Sequence, residues 1–278
     1  MSITAGEERA FYDRVYSQFS GLSDDALVCN RHVIEKNLAN PDHPIYERRR
    51  LYGTVLRVLL SQPVAGSRVL DYGCGTGDWG LMLASEGAQA TFLDLSDVAM
   101  RLVLRRARVS GVEHRVRAVA GDASNLSCFA DGEFDLIYAS AAIHHTLKYP
   151  NALAELVRVL RPGGKLVIAE TYGNNPLLNA ARRIRWVLCR EPAEAGEEIL
   201  FNDAHITALS ACLECVQITP MGLMAMAKRV FRGRFRSLIV RQFINCLERF
   251  DEVLLRLKPS LRRYCGEVVV VAHKPCVQ

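Results

Sequence analysis

Short apolar runs alternate with longer segments of helical period through the middle of the chain. The first run begins at Val69, and the others cover residues 90–95, 116–122, 134–140 and 160–170. Near-continuous apolar runs of this length are typical of strands that are buried on both faces of a parallel sheet. We therefore predict an α/β fold in which a mostly parallel sheet carries helices on both faces.

Polar residues and glycines between these runs mark the ends of helices. Ser96 stands at the N-cap position before a segment of helical period, residues 97–109, and Gly111 closes that segment. Pro150 precedes a second segment in which leucines recur at helical spacing. Helices that connect successive strands are what a parallel sheet requires.

Additions at both ends of the chain extend this alternating core. Residues 2–20 place Phe11 and Val15 on one stripe with Tyr12 and Tyr16 beside it, which predicts an amphipathic helix. Its tyrosines either line a pocket or pack the helix onto the domain.

The C-terminal part supplies the last two predicted strands, residues 212–219 and 266–273, with a mostly helical insertion between them. The predicted organisation is an N-terminal helical cap (1–60), a ligand-binding core (61–220), a basic helical insertion or lid (221–265) and a final core strand (266–278).

A glycine-rich turn follows the first strand. Its glycines occupy alternate positions, 73, 75 and 77, behind the acid Asp71. Glycine allows the backbone to turn sharply and to approach a ligand that a Cβ would exclude. The dinucleotide fingerprint requires Gly-x-Gly-x-x-Gly, so the third glycine is one residue early for a pyrophosphate site. The leading acid suits a cationic ligand better than a pyrophosphate.

The order Asp-x-Gly-x-Gly-x-Gly from Asp71 to Gly77 resembles the first motif of class I S-adenosylmethionine-dependent methyltransferases. The specific part of the resemblance runs from Val69 to Tyr172 and is to their type 11 small-molecule group. It implies a Rossmann-like seven-stranded sheet, mostly parallel, with an antiparallel last strand and helical lid additions. It also implies S-adenosyl-L-methionine as cofactor and S-adenosyl-L-homocysteine as product.

Acids end the second and third strands, where ligands of such sheets bind. Asp94 can accept both hydrogen bonds from the vicinal hydroxyls of a ribose. By the resemblance, Asp122 receives the adenine amino group. The predicted cofactor-binding residues are Asp71, Gly73, Cys74, Gly75, Gly77, Asp94, Leu95, Asp122, Ala123 and Ser140.

Candidate catalytic residues follow the fourth and fifth strands. Methyl transfer needs positioning and exclusion of water, and a neutral imidazole can remove a proton from an acidic acceptor. His144 and His145 either supply this base or pack the cofactor and shape the pocket. Glu170 is a candidate acceptor of a proton or hydrogen bond, and Tyr172 a candidate stacking surface for a planar substrate. Polar residues at this position are also typical of a turn that ends a strand.

Positive charge is concentrated in the insertion. The whole chain has a net charge of +5, whereas residues 221–265 hold nine Arg and two Lys against two Glu and one Asp, a net charge of +8. Its first half contains Lys228, Arg229, Arg232, Arg234, Arg236 and Arg241. Such a segment is a lid over an anionic or lipid-like substrate, a helix on a membrane surface, or a covering helix with a solvated basic face. Nucleic acid is a less favoured partner, because no RNA-binding module accompanies the basic segment.

Composition predicts a cytoplasmic protein without a metal site. The first ten residues lack the basic start and apolar run of a secretory signal, and no stretch of about 18 residues is apolar enough to span a bilayer. Nine scattered cysteines predict reduced packing positions rather than a disulfide framework. Cys212 and Cys215 form a Cys-x-x-Cys pair without a second pair at zinc spacing, so packing is favoured there too.

Two classes of function follow. The first is a methyltransferase that moves a methyl group to an O, N or C atom of a small, apolar or aromatic metabolite, with a membrane-associated lipid or quinone methyltransferase as its variant. The second is a non-catalytic S-adenosylmethionine-binding protein with a regulatory or assembly role. The sequence leaves the acceptor and the oligomeric state open.

Overall fold

A seven-stranded sheet runs through the part of the chain that the computed structural model describes, residues 4–189 and 199–276. Its strands are β1 Arg68–Tyr72, β2 Gln89–Asp94, β3 Val116–Ala120, β4 Phe134–Ser140, β5 Leu160–Thr171, β6 Glu214–Met221 and β7 Glu267–His273. Their order is β3-β2-β1-β4-β5-β7-β6. Strands β1 to β5 pair in parallel, and β7 runs antiparallel to both β5 and β6. The predicted sheet with its antiparallel last strand is confirmed.

Helices connect the strands and extend the N-terminus. They are α1 Ala5–Ser17, α2 Asp24–Leu27, α3 Arg31–Ala39, α4 Arg49–Leu59, α5 Asp78–Ser85, α6 Asp97–Val109, α7 Ile143–Thr146, α8 Ala152–Val159, α9 Pro176–Cys189, α10 Asp203–Ser210 and α11 Leu238–Leu257. Helix α6 has the predicted bounds, because the Ser96 side chain accepts a hydrogen bond from the Ala99 N–H (3.0 Å) at its start. Gly111 follows its end with a φ of +72°.

Two apolar cores cover the two faces of the sheet. Val69 on β1 belongs to the core that contains Leu51 and Val55 of α4, while the next residue, Leu70, belongs to the core that contains Leu156 of α8. Side chains of successive strand residues point to opposite faces, so one apolar strand contributes to both cores. This explains the near-continuous apolar runs in the sequence.

The insertion between β6 and β7 is anchored at the carboxyl edge of the parallel strands. Met221 at the end of β6 pairs with Glu267 at the start of β7, which pairs in turn with Thr171 at the end of β5. The insertion contains a 3₁₀ segment, Met224–Phe231, then α11 and a second 3₁₀ segment, Pro259–Tyr264. It therefore leaves and rejoins the sheet at the edge where ligands of α/β folds bind.

Several cations of the insertion form ion pairs within the chain. The basic residues therefore do not all face a ligand or solvent, as the sequence alone suggested. Lys228 and Glu267 are 2% and 0% exposed, and their Nζ and Oε2 atoms lie 2.7 Å apart. The pairs are Lys228–Glu267, Arg229–Glu47, Arg232–Glu47 and Arg236–Asp42. The lid and membrane hypotheses must therefore rest on other residues of the insertion.

The cysteine prediction is wrong for most of the described cysteines. Cys29 and Cys265 are buried, but Cys212 and Cys215 are exposed. Cys215 lies on β6, which is at the end of the sheet and pairs only with β7, and Cys212 lies in the turn before this strand, so both face solvent. Within residues 4–189 and 199–276, no cluster of His, Cys, Asp and Glu is arranged to hold a metal ion.

None of the helices in the described ranges combines the length and the apolar character needed to span a bilayer.

Candidate functional site

An open cavity lies at the carboxyl ends of β1 to β4. The cavity is lined by Ala5, Glu8, Tyr12, Tyr16, Gly73, Asp94, Leu95, Asp122, Ala123, Ala141, Ala142, His145, Thr146 and Tyr149. The fold therefore brings together five of the predicted cofactor residues, one of the two histidines and both tyrosines of α1.

The glycine turn reaches the cavity through Gly73, and its conformation depends on all three of its glycines. Gly73, Gly75 and Gly77 have φ angles of +62°, +53° and +75°, which side chains rarely allow. A Cβ on Gly73 would lie 2.4 Å from the Ala142 Cβ, and one on Gly75 would lie 2.9 Å from the Tyr16 hydroxyl. Only glycine permits this close approach of the turn to the elements above it.

Asp94 joins the glycine turn to the start of α6. Its Oδ2 accepts a hydrogen bond from the Gly75 N–H (2.8 Å), and its Oδ1 accepts one from the Ser96 N–H (3.0 Å). Burial raises the pKa of Asp94, although these backbone hydrogen bonds oppose the shift. The carboxylate thus supports the turn and also lies on the cavity wall.

Asp122 and Ala123 line the cavity just beyond the end of β3. The Asp122 Oδ1 accepts a hydrogen bond from the Ser124 N–H (2.8 Å), which orients the carboxylate in its turn. The Tyr72 hydroxyl donates to the Ala123 carbonyl (2.7 Å), so a buried β1 side chain holds this turn against the sheet.

Helix α1 covers the cavity, and two hydrogen bonds to Asp13 hold it against the start of α6. Its N-terminus carries a capping box between Thr4 and Glu7. One turn before its C-terminus, Asp13 accepts hydrogen bonds from the Ser96 hydroxyl and the Val98 N–H (3.4 Å) at the start of α6. Tyr12 and Tyr16 both line the cavity, and Tyr16 also packs against the apolar core, so the two alternatives left open for them are not exclusive.

Three side chains form a hydrogen-bonded chain on the cavity wall. The Glu8 Oε1 lies 2.9 Å from the His145 Nδ1, and the His145 Nε2 lies 3.1 Å from the Tyr12 hydroxyl. Burial alone would raise the pKa of Glu8, but the hydrogen bond and charge of His145, with the charge of Lys148, lower it overall. A carboxylate can only accept, so Nδ1 donates to Glu8, and Nε2 of a neutral ring accepts a hydrogen bond from the Tyr12 hydroxyl.

His144 has a different environment. Its Nδ1 lies 3.0 Å from the Glu170 Oε2, and the Glu170 Oε1 accepts hydrogen bonds from the N–H groups of Ala142 (2.9 Å) and Ile143 (3.0 Å). Burial would raise the pKa of Glu170, but the charges of His144 and Arg48 and these hydrogen bonds lower it overall. The pair braces α7 from below, and neither residue lines the cavity.

Other predicted site residues also lie away from the cavity wall. Tyr172 is 3% exposed and its hydroxyl donates to Asp203, so it presents no stacking surface there. Burial raises the pKa of Asp71 to about 8, and its Oδ2 accepts a hydrogen bond from the Gly80 N–H (2.8 Å), below the glycine turn. Cys74, Gly75, Gly77 and Ser140 likewise do not line the cavity. The acceptor-contacting roles predicted for Glu170 and Tyr172 therefore lack support from their positions.

Sequence reasoning missed Glu8 and the cavity wall formed by Ala141 and Ala142. Ala141 has a φ of +50°, a conformation that is rare for residues other than glycine. Glu8 is one helical turn before Tyr12, so its spacing placed it on the same face of α1. This spacing was the available signal.

Known proteins match the core of the chain. Residues 69–164 match a family model described as a methyltransferase domain. A ubiquinone/menaquinone biosynthesis C-methyltransferase of Dinoroseobacter shibae is 38% identical over 110 residues, 39% of this chain and 44% of the relative. A demethylmenaquinone methyltransferase of Thermus thermophilus is 36% identical over 137 residues, 47% of this chain and 61% of the relative. The matched region thus spans about half the length of these curated relatives.

Solved structures share the fold over most of the chain. A phosphoethanolamine N-methyltransferase of Haemonchus contortus in complex with S-adenosyl-L-methionine has a TM-score of 0.59 and 19% identity, covering 99% of this chain and 60% of that one. A geranyl diphosphate C-methyltransferase of Streptomyces coelicolor has a TM-score of 0.55 and 16% identity, covering 95% and 98%. At these identities the likeness shows the fold alone. Residues 69–164 are thus similar to a methyltransferase domain, and most of the chain shares the fold of solved methyltransferases, one of them in complex with S-adenosyl-L-methionine.

Proposed function

We propose that this chain transfers a methyl group from S-adenosyl-L-methionine to a small, apolar or aromatic acceptor. The observation that carries the proposal is the single cavity wall on which the glycine turn, Asp94, Asp122 and the Glu8–His145–Tyr12 chain meet. These groups supply cofactor contacts and a proton acceptor within one site.

The residues present fit the cofactor. Each carboxylate oxygen has two lone pairs, so Asp94 can accept ribose hydroxyls in addition to the N–H groups of Gly75 and Ser96. Asp122 would accept from the adenine amino group. Gly73 leaves room for the cofactor to approach the main chain of the turn closely, because glycine has no Cβ.

The bound cofactor supplies an electrophilic sulfonium methyl, and the chain positions the acceptor and moves its proton. An acceptor hydroxyl beside Tyr12 gives its proton to the Tyr12 oxygen, while the Tyr12 proton passes to the His145 Nε2. Glu8 stabilises the imidazolium that forms. Helix α1 covers the site and excludes water from it. Of the two predicted base candidates, the geometry favours His145 over His144.

The acceptor side of the cavity favours a planar apolar molecule. Tyr12, Tyr16 and Tyr149 lie on its wall together with alanines, and the rings of Tyr12 and Tyr16 stack at 5.9 Å. The relatives named for quinone biosynthesis support an aromatic acceptor. We therefore place a quinone-like ring first among acceptors, with lipids as the variant.

Cofactor binding and transfer of labelled methyl groups test the proposal. Calorimetry with S-adenosyl-L-methionine should show binding that Asp94→Asn weakens by about 1.5 to 3 kcal/mol, since a hydrogen bond to a charged group is lost. Asp25→Asn, an exposed position on α2, serves as the control, and thermal melting checks that both variants fold.

The transfer assay uses extracts separated into polar metabolites, lipids and RNA. Label in the lipid or apolar fraction with the wild-type protein only would support the proposal. Binding without transfer into any fraction would instead support the non-catalytic alternative, and absence of binding would contradict both.

A further inference from the structure

Helix α11 presents an apolar row to solvent. The row, named here the α11 stripe, consists of Ile239, Phe243, Cys246, Phe250, Val253 and Leu257. Its five large apolar members are between 46% and 79% exposed, and Cys246 is exposed as well. The spacing of three and four residues keeps all six on one side of the helix. A continuous exposed apolar row of this kind marks an interaction surface.

The opposite, buried face of α11 is mixed, since Ile244 packs with Tyr46 and Phe235 while two acids are buried beside it. Glu248 and Asp251 are 6% and 3% exposed. The Asp251 carboxylate accepts hydrogen bonds from three backbone N–H groups at the start of the 3₁₀ segment, at 2.8 to 3.0 Å, and Glu248 pairs with Arg49 (2.7 Å). These buried contacts fix the rotation of the helix, so the stripe is held facing outward.

The charges beside the stripe distinguish its possible partners. Gln242, Arg249 and Arg256 flank it on one side, and Leu247 and Leu254 flank it on the other. In an antiparallel pair of α11 helices the arginines would face arginines, and in a parallel pair they would face leucines. A second α11 helix therefore offers the arginines no anion.

Anionic lipid headgroups offer these arginines a counter-charge. We propose that the α11 stripe lies on an anionic bilayer surface, with the apolar row in the interfacial layer and Arg249 and Arg256 at the lipid phosphates. The nearby acid Glu252 is paired with Arg50 and leaves the cationic flank uncompensated. Lys258, exposed just beyond the helix, adds one cation at its C-terminal end.

The position of the insertion connects this surface with the site. The segment that carries α11 leaves and rejoins the sheet at the same edge as the cavity. Helix α9, which follows β5 at this edge, exposes Leu177, Ile184 and Leu188 on one of its faces. Binding to the bilayer does not depend on methyl transfer, so the inference goes beyond the proposed function.

Vesicle flotation of the full chain tests the inference without cofactor or acceptor. Vesicles of phosphatidylcholine are compared with vesicles that also contain phosphatidylglycerol. The protein should bind the anionic vesicles and be released by salt. Arg249→Gln with Arg256→Gln should weaken binding about fivefold for each arginine, and Ile239→Gln with Phe250→Gln by about tenfold or more for each apolar side chain.

Matched controls come from α6, which carries an exposed leucine and an exposed arginine elsewhere on the molecule. Leu104→Gln and Arg101→Gln make the same chemical changes outside the stripe and should leave binding within about twofold. Absence of binding to anionic vesicles, or equal losses in the stripe and control variants, would overturn the inference. The inference would also be overturned if the stripe variants dissociate an oligomer in sedimentation and leave flotation unchanged, since the stripe would then be an interface between copies.

Discussion

Replacing Glu8 by Gln tests the proposed transfer of a proton through Tyr12 and His145. The Glu8 Oε1 lies 2.9 Å from the His145 Nδ1, and their side chains are 14% and 24% exposed. The amide of Gln keeps the size of the side chain but removes the charge that stabilises an imidazolium. The hydrogen bond between the Tyr12 hydroxyl and the other imidazole nitrogen (3.1 Å) is not altered by the substitution.

The expected loss follows from the strength of the interaction. Hydrogen bonds to charged groups contribute about 1.5 to 3 kcal/mol. Because both side chains retain some contact with solvent, we take the lower end of this range. A barrier that is higher by about 1.4 kcal/mol slows the chemical step about tenfold. We expect Glu8→Gln to lower kcat about tenfold and to change the affinity for S-adenosyl-L-methionine less than about twofold.

Single-turnover methyl transfer at saturating cofactor measures the first quantity, and calorimetry measures the second. Glu7→Gln is the matched control, since Glu7 is a neighbouring carboxylate whose capping box a glutamine can preserve. An unchanged kcat in Glu8→Gln would refute the relay. Equal losses of kcat and cofactor affinity would show that Glu8 only holds α1 in place.

Further predictions concern stability and the glycine turn. Glu267→Gln should cost about 3 to 5 kcal/mol in urea unfolding, because it leaves the buried Lys228 without its counter-charge, whereas Glu113→Gln in an exposed pair should cost less than about 1 kcal/mol. Burial would raise the pKa of Glu267, but the surrounding cations lower it overall. The ionised carboxylate therefore stabilises the fold fully above pH 4.5, its ordinary pKa, and this stabilisation is lost as the pH falls through the lowered pKa. A stability difference between wild type and Glu267→Gln that grows in acid would contradict this direction. Gly73→Ala should abolish cofactor binding, because its Cβ would lie 2.4 Å from the Ala142 Cβ and its φ is +62°, while Gly66→Ala, with φ of +76° and nothing within 4 Å, should bind normally and lose only about 1 to 3 kcal/mol of stability to backbone strain.

The strand ends show how far sequence reasoning reaches into the site. Asp94 and Asp122 were placed correctly at the cavity because the end of a parallel strand fixes the sheet edge to which a residue belongs. The same argument placed Glu170 at this edge, but its side chain turns under α7 and binds the backbone there. A strand end does not specify which neighbour a side chain reaches.

Local patterns by themselves determined the elements and their order. The period of the apolar residues, the Ser96 cap and the glycine spacing act over a few residues, so they are legible in the sequence and predict the sheet and the cofactor turn. Only the tertiary structure decided that Glu8 contacts His145, that Lys228 forms a buried ion pair with Glu267, and that the apolar row of α11 faces outward. These contacts join residues far apart in the chain, and their partners are selected by how helices pack on the finished sheet, which no short-range pattern encodes.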